Sequence, residues 1–262
     1  MFVPLYDGKS VKHISLQWVT LTIIGLNILV YLTVNVFSIG SVGGLDHITL
    51  SLGYIPSVGN ELKTLPQEYQ LVAPDYYLIT MLTSAFIHAD LMHLAGNMVF
   101  IWVFGDNVED AMGHIKFAIF YMACALAAVW FHGLMFADSD GPLIGASGAA
   151  AGLVTAYLIL HPKMQIWGLL FLRIPLRLPA YIALGGWVAY QVVMFIIDTD
   201  GQISWASHVG GGLAGALLIF ILKRRAVSLF DREVALPGAV QMQPDAELPS
   251  DVQMSPWGRQ KQ

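Results

Sequence analysis

A serine and a histidine, each at the start of an apolar segment, are the residues best suited to covalent chemistry. Ser147 lies within Gly145-Ala-Ser147-Gly148, and His208 opens a later apolar segment. A serine hydroxyl is a weak nucleophile that needs a neighbouring base, and histidine is the usual base near neutral pH. Each residue alone has an ordinary explanation, a helix cap for the serine and a polar helix contact for the histidine. Together they predict acyl transfer by a Ser147–His208 dyad.

A second polar cluster, His88, His93 and Asn97, lies at the start of another apolar segment. His93 and Asn97 are one helical turn apart and share a helix face. Both side chains can donate hydrogen bonds, and acyl transfer needs such donors for the developing oxyanion. The pattern predicts an oxyanion hole formed by His93, Asn97 and the backbone N–H of Ser147. The alternative is that these side chains are polar contacts between helices.

Two pairs of glycines indicate how the serine and the histidine come together. Gly148 and Gly152 are four positions apart in the serine segment, and Gly211 and Gly215 are four apart in the histidine segment. Small residues at this spacing let two helix backbones approach closely in a membrane. We therefore expect these two helices to pack with the imidazole within reach of the serine oxygen.

The elements that position these residues are predicted to be membrane helices. Of the 262 residues, 56% are hydrophobic and only 12% are charged, against about 25% charged in soluble domains. The net charge of −5 argues against nucleic-acid binding, and the single cysteine, Cys124, excludes a disulfide scaffold. We predict an all-α polytopic protein whose surroundings are a lipid bilayer.

Six segments have the apolar character of transmembrane helices. They cover residues 17–39, 91–104, 115–136, 148–160, 180–197 and 206–222. Residues 1–16 form an N-terminal segment, 17–225 the membrane domain, and 226–262, rich in Pro and Gln, a tail predicted to be disordered. Within the domain, residues 40–80 are expected to form a long structured loop. Residues 168–179, apolar but interrupted by proline and arginine, are expected at the membrane interface.

The basic residues predict the orientation. With six spans both termini lie on one side, and so do all of the 13 Lys and Arg residues except Lys63. The positive-inside rule then makes both termini cytoplasmic and residues 40–80 extracytoplasmic. The three polar clusters all lie in the first turns of spans that enter from the extracytoplasmic side. Because the span from Ser147 to His161 is short, the serine is expected below the surface, in a water-filled cavity.

Taken in order, these segments resemble the rhomboid family of intramembrane serine proteases over about residues 83–215. The motifs are His88-Ala-Asp-Leu-Met-His93-Leu-Ala-Gly-Asn97, Gly105-Asp-Asn-Val-Glu109-Asp-Ala-Met-Gly113, Gly145-Ala-Ser147-Gly148 and His208-Val-Gly-Gly211-Gly-Leu-Ala-Gly215. The resemblance implies a six-helix core, the dyad, and an oxyanion hole at His93 and Asn97. It implies structural roles for His88, Glu109, Gly145, Gly148, Gly152, Gly211 and Gly215.

The sequence also departs from the family pattern. Many members carry Trp-Arg in the first loop, where this sequence has Ile79-Thr80, so that the loop is anchored differently. Some members place an aromatic residue one turn after the serine, where this sequence has Ala151. His208 must then be oriented by Trp205 or by a neighbouring span. No acidic residue aligns as a third triad member, so we expect a dyad with slow turnover.

The predicted function is an intramembrane serine endopeptidase that cleaves single-span membrane proteins without a metal or cofactor. One alternative is an inactive rhomboid-like binding protein, which is expected to lack Ser147 or His208. A small transporter is another, although no internal repeat is apparent. A metalloenzyme using His88 and His93 is the third, although no His-Glu-x-x-His pattern occurs.

The absence of a targeting peptide favours a bacterial cell membrane. Neither the substrate nor the oligomeric state follows from the sequence.

Overall fold

The computed structural model describes residues 2–36, 44–70, 77–170, 172–198 and 203–231. The end of the predicted first span, residues 37–39, and residues 232–262 of the predicted tail lie outside these ranges. So do parts of the predicted loop, residues 40–43 and 71–76.

Nine α-helices are formed by the described residues. They are α1 (Trp18–Tyr31), α2 (Gly44–Leu52), α3 (Pro56–Gly59), α4 (Tyr77–Thr83), α5 (Leu91–Met112), α6 (His114–Met135), α7 (Ser147–Leu160), α8 (Ala180–Ile197) and α9 (Trp205–Leu222). A π-helical turn, Leu32–Val36, extends α1, and a 3-10 turn, Ser84–Phe86, follows α4.

The described helices include four that are long and apolar enough to cross a membrane: α1 with its extension, α6, α8 and α9. A fifth candidate is the pair Leu78–Phe86 and Leu91–Met112, which is bent by 91° at its break. Helix α7 is apolar but shorter, with 14 residues. The chain is therefore a mostly helical, polytopic membrane protein.

Helix α5 is the element whose predicted boundary differs most from the structure. It continues to Met112, whereas the sequence predicted an end at residue 104 because polar residues follow. Those polar groups have partners in the N-terminal segment. Asn107 Nδ2 donates to Asp7 at 2.8 Å, and the Asp110 carboxylate accepts the backbone N–H of Lys12 at 3.0 Å. Polar side chains that have hydrogen-bond partners can be part of a membrane helix, whereas unpaired polar groups facing lipid would end it. The helix therefore continues beyond residue 104.

Helix α7 lies at the centre of the bundle. It contacts α5, α6, α8 and α9, and its apolar side chains are buried around almost the whole helix, including Leu153, Val154 and Leu160. A helix that is hydrophobic on every side belongs in the interior of a protein or membrane. The first residue of this central helix is Ser147.

A three-stranded antiparallel sheet makes the all-α prediction wrong in one region. The strands are β1 (Phe2–Tyr6), β2 (Gln165–Leu170) and β3 (Ile174–Pro179), in the order β1-β2-β3. The segment predicted at the interface, residues 168–179, thus forms most of a hairpin. Its prolines are compatible with a strand because β3 is at the sheet edge, where a missing N–H is tolerated.

The predicted loop, residues 40–80, is structured in its described part. It contains α2 and α3, and Tyr54 pairs with Leu143 across a short β-bridge to the loop between α6 and α7. Lys63 and Ser57 both bond to Asp140 in that second loop. Ile79 and Thr80, which replace the family's Trp-Arg, lie within α4.

The first residues of the predicted disordered tail are ordered. The backbone N–H of Phe230 donates to the Ile159 carbonyl at 2.9 Å, and Lys9 Nζ donates to Asp231 at 2.7 Å. The prediction of disorder therefore does not hold for residues 226–231. These contacts join the segment after α9 to the end of α7.

Candidate active site

The serine and the histidine selected from the sequence are in direct contact. His208 Nε2 lies 2.8 Å from Ser147 Oγ. Ser147 is the first residue of α7 and His208 is in the first turn of α9, where the Ser204 side chain accepts the Ser207 N–H. Both members of the pair are only half-buried. The geometry suits proton transfer from the hydroxyl to the imidazole.

Glycines bring the two helices together. A Cβ on Gly211 would overlap the Gly148 carbonyl, and a Cβ on Gly215 would overlap the Gly152 carbonyl. The α7 and α9 backbones therefore touch at two points, one helical turn apart. This contact lies directly below the Ser147–His208 pair and sets its separation.

The second ring nitrogen of His208 is also bonded. Its Nδ1 lies 2.7 Å from Gln191 Oε1 on α8. Because a carbonyl oxygen only accepts, Nδ1 carries the proton and Nε2 presents its lone pair to the serine hydroxyl. Gln191 was not predicted from the sequence. Its signal was present, because Gln191 is the one strongly polar side chain in the span Ala180–Ile197.

Two tryptophans complete the surroundings of the imidazole. The Trp205 ring meets His208 edge-on, with centroids 5.9 Å apart, and the Trp187 ring lies 6.3 Å away at a tilt of 31°. The sequence suggested Trp205 or a neighbouring span as the group that orients the histidine, and the structure places both against it. Ala151, where some family members carry an aromatic residue, is buried.

The histidine and the asparagine of the predicted oxyanion hole reach the backbone just before Ser147. A Cβ on Gly145 would lie 2.6 Å from His93 Nε2 and 3.7 Å from Asn97 Nδ2. Gly145 also has a φ of +110°, a conformation that side-chain-bearing residues rarely adopt. Glycine at this position therefore allows both the turn into α7 and the approach of the imidazole.

His88 holds the Asn97 side chain in place by a hydrogen bond. Asn97 Nδ2 donates to His88 Nε2 at 3.0 Å, and the Ala146 N–H points to the same nitrogen at 3.5 Å. The His88 side chain is almost completely buried. One amide hydrogen of Asn97 is used in this contact, and the amide has a second hydrogen that can donate to another acceptor.

Glu109 lies outside this cluster. Its buried carboxylate accepts the backbone N–H groups of Val19 and Thr20 at 3.0 and 2.8 Å, and it bonds to the His114 ring. Those N–H groups belong to the first turn of α1 and have no partner within the helix. Glu109 thus joins α1 to α5.

A small, mostly apolar cavity is lined by residues on both sides of Ser147 in the sequence, including Gly145 and Gly148. Its walls come from the turn after α4, from α6, from α7 and from the start of α9, and are formed by Ser84, Ala85, Ala125, Ala128, Val129, Leu143, Gly145, Gly148, Ala149 and Ser207. In the described part of the chain, no group of three or more His, Cys, Asp or Glu side chains is placed to hold a metal ion.

Comparison with known proteins identifies a family and several relatives. The family model described as the rhomboid domain matches residues 76–225. The chain is 32% identical over 157 residues to Rhomboid protein 1, mitochondrial, of Saccharomyces cerevisiae, covering 58% of this chain and 44% of that protein. It is 28% identical over 156 residues to RHOMBOID-like protein 12, mitochondrial, of Arabidopsis thaliana, covering 53% and 45%.

A human relative shows the same partial match. Presenilin-associated rhomboid-like protein, mitochondrial, is 29% identical over 143 residues, covering 52% of this chain and 35% of that protein. The chain therefore spans less than half the length of these relatives.

The names of these relatives contradict the predicted location. All three are named mitochondrial, so the prediction of a bacterial cell membrane is wrong. The apolar length and composition of a span are set by the bilayer core, which is similar in different membranes. The membrane to which a protein is sent depends instead on targeting signals that receptors recognise.

Proposed function

The chain belongs to the rhomboid family, and on that premise we propose that it is an intramembrane serine endopeptidase. The observation that carries the proposal is the 2.8 Å contact between Ser147 Oγ and His208 Nε2 at the start of two close-packed helices. The substrates are single-span membrane proteins, cleaved within or beside their transmembrane segments.

The first step is attack by the serine. Gln191 holds the Nδ1 proton of His208, so that Nε2 removes the proton of Ser147 Oγ as this oxygen bonds to the scissile carbonyl carbon. The carbonyl oxygen becomes an oxyanion. We assign its stabilisation to His93, Asn97 and the Ser147 N–H. The support is that both side chains reach Gly145, just before Ser147, and that the N–H groups at a helix start have no helical partner.

The second step expels the amine. The carbon–nitrogen bond breaks, and His208 gives the proton from Ser147 to the leaving nitrogen, which leaves an ester on the serine. Water then attacks the ester with His208 again as base, releasing the acid and the free hydroxyl. None of these reaction steps uses a cofactor.

The proposed topology has six spans, α1, α5, α6, α7, α8 and α9, with both termini on the side opposite Ser147. Its support is that His93, Ser147 and His208 lie in the first turns of α5, α7 and α9, which therefore begin on one side. Helix α7, with 14 residues, is about 21 Å long at about 1.5 Å per residue. A core of about 30 Å therefore puts the serine below the surface.

Cysteine labelling tests this topology. Cys124, the one native cysteine, is completely buried, so new cysteines report their own location. In sealed vesicles, a membrane-impermeant maleimide should label Lys63→Cys and Ser228→Cys from opposite sides. Labelling of both from the same side would exclude six spans.

The small cavity lined by Gly145 and Gly148, which flank Ser147 in the sequence, supports a preference for a small substrate side chain. Ala125, Ala128 and Ala149 form much of its wall, and a large side chain would need these helices to separate. Substrates with Ala or Ser at the cleaved position should therefore be processed faster than those with Phe or Trp. Following the names of its relatives, we assign the protein to a mitochondrial membrane.

An active-site-directed fluorophosphonate tests the proposed chemistry, because it reacts only with an activated serine. The wild-type protein and the control Ser228→Ala, at an exposed position after α9, should be labelled. Ser147→Ala and His208→Ala should not be. A correctly folded wild-type protein that resists labelling would instead indicate an inactive rhomboid-like binding protein.

A further inference from the structure

The small sheet has two faces of different character. In an antiparallel pair, residues directly opposite each other project to the same face, and successive residues alternate. Ile166 pairs with Leu178 and is completely buried against the bundle. Trp167 pairs with Arg177 on one side and with Tyr6 on the other. Trp167, Arg177 and Tyr6 therefore lie on the face that points away from the bundle, here called the outer face.

Large apolar groups remain exposed on this face and at the hairpin tip. Tyr6 is 61% exposed and Trp167 is 46% exposed. At the tip, Leu172 and Ile174 are more than half exposed. The part of the chain that the structure describes does not cover them.

The charged side chains of the sheet and its flanking residues are all basic. Residues 2–6 and 163–179 contain Lys163, Arg173 and Arg177 but no Asp or Glu. Lys163 and Arg173 are exposed, and the Arg177 guanidinium lies over the Trp167 ring, 5.6 Å from its centroid. The outer face and the adjoining tip thus combine aromatic and aliphatic groups with Arg177 and Arg173, and Lys163 lies at the opposite end of the hairpin, before β2. This composition is typical of surfaces that interact with lipid headgroups.

The position of the sheet brings it to the membrane boundary. Strand β3 ends at Pro179, which caps α8, and α8 is a candidate membrane span. Tyr181 and Ile182, in the first turn of α8, are exposed large apolar side chains, as expected where a helix enters lipid. The exposed surface of the sheet is therefore continuous with the surface of a membrane-spanning helix.

We propose that the outer face and tip of the sheet bind the anionic phospholipids of the adjacent leaflet. Trp167, Tyr6 and the tip side chains enter the boundary between headgroups and acyl chains. Arg173 at the tip and Lys163 at the opposite end of the hairpin, both exposed, bond to lipid phosphates, and residues 2–6 and 163–179 contain no Asp or Glu. Ser147 begins α7 and the sheet follows its other end, so this contact is separate from the candidate active site.

The test uses the full chain in phosphatidylcholine vesicles containing phosphatidylglycerol. A fluorescent maleimide on Ile174→Cys reports the tip, since the buried Cys124 is protected. Spin-labelled phosphatidylglycerol should quench the fluorophore more strongly than spin-labelled phosphatidylcholine, and salt should reduce the difference. The double variant Lys163→Gln with Arg173→Gln should abolish the preference.

The matched control removes two other exposed basic residues, Lys116 and Arg225, by the same change to Gln. It should keep the preference for the anionic lipid. Equal quenching by both lipids in the otherwise unchanged chain would overturn the proposal, as would loss of the preference in the control. Absence of quenching by either lipid would place the sheet in water or under a protein partner, which also overturns it.

Discussion

The two ends of α7 are built in different ways. At the Ser147 end, the helix is held to α9 by backbone contact between glycines. Ser147 and His208 are only half-buried there, and the buried Asn97 and Gln191 each bond to a histidine. At the Leu160 end, buried charged and polar groups from distant parts of the chain converge. The proposed reactive groups thus lie where two helix backbones touch, and both remain partly exposed.

The network at the Leu160 end joins the N-terminal segment to the segment after α9. Asp7 accepts the Tyr157 hydroxyl at 2.7 Å and an Asn107 amide hydrogen at 2.8 Å. Lys9 and His161 both bond to Asp231, at 2.7 and 2.8 Å. Buried polar groups that bond to one another favour one arrangement of the backbone. This end therefore anchors the central helix, and the other end can present a nucleophile to water and substrate.

The largest effect is expected from separating the helices at the reactive end. Gly211→Leu or Gly215→Leu forces a side chain into the opposite backbone, so cleavage should be lost and the melting temperature in detergent should fall. Overpacking a core costs about 1–3 kcal/mol even where side chains can shift. The control is Gly186→Leu on α8, where an added Cβ meets nothing within 4 Å. Full activity in both α9 variants would show that the close contact is not needed.

A smaller loss is expected from the oxyanion donors. His93→Ala should lower kcat by about 100- to 1000-fold with little change in KM, because the charge develops only in the transition state. Asn97→Ala should cost less, since His93 and the Ser147 N–H remain. The control His13→Ala, with an exposed side chain, should have no effect. A rise in KM at constant kcat would make these residues substrate-binding groups instead.

Loss of the Gln191 contact should have a moderate effect. The Gln191→Leu variant leaves the Nδ1 proton of His208 unbonded, and a neutral hydrogen bond contributes about 1 kcal/mol. We therefore expect kcat to fall by roughly fivefold without a change in KM. Gln191→Glu restores an acceptor and should recover activity, whereas a merely structural role would not be rescued by a charged residue. Val192→Leu, at the exposed neighbouring position, serves as control.

The smallest effect on cleavage is expected at the anchoring end. Burial raises the pKa of the Asp7 carboxyl above its ordinary value, against the lowering effect of the Tyr157 hydroxyl. The folded protein then binds this proton more tightly than the unfolded chain, so stability should fall as the pH rises above about 4. Asp7→Asn should make the fall of the melting temperature with pH shallower while cleavage is unchanged.

A second substitution sharpens this prediction. Tyr157→Phe removes a donor that favours the ionised carboxylate, so it should extend the pH-dependent loss of stability to higher pH. An identical slope in the wild type and Asp7→Asn would mean that another group is responsible.

The two ends also differ in how far the sequence predicted them. The contact of Ser147 with His208 and the glycine pairs could be predicted, because the spacing within each helix is local and the apolar segments are long. The span Ala180–Ile197 was predicted with its observed bounds. Gln191 was missed because its contact with His208 depends on which face of α8 packs against α9. The other positions of α8 are apolar on every side, so the sequence does not show which face that is.

The anchoring end depends on contacts between residues far apart in the chain. Asp7 meets Tyr157, and Lys9 meets Asp231, and no local pattern connects them. The sheet was missed for the same reason, since β1 and β2 are separated by most of the membrane domain. The Pro and Arg residues of β3 also resemble a loop, because they interrupt the apolar run that would otherwise indicate a strand or a helix.

The central claim is that Ser147 and His208 together hydrolyse a peptide bond in the membrane. The most direct measurement is cleavage of a single-span substrate by the purified full chain in lipid vesicles, read by mass spectrometry of the products. We expect the wild type and Ser228→Ala to make one cut, near the Ser147 end of the bundle. Ser147→Ala and His208→Ala should make none, although their melting temperatures are unchanged. Cleavage by Ser147→Ala at the wild-type rate would contradict it.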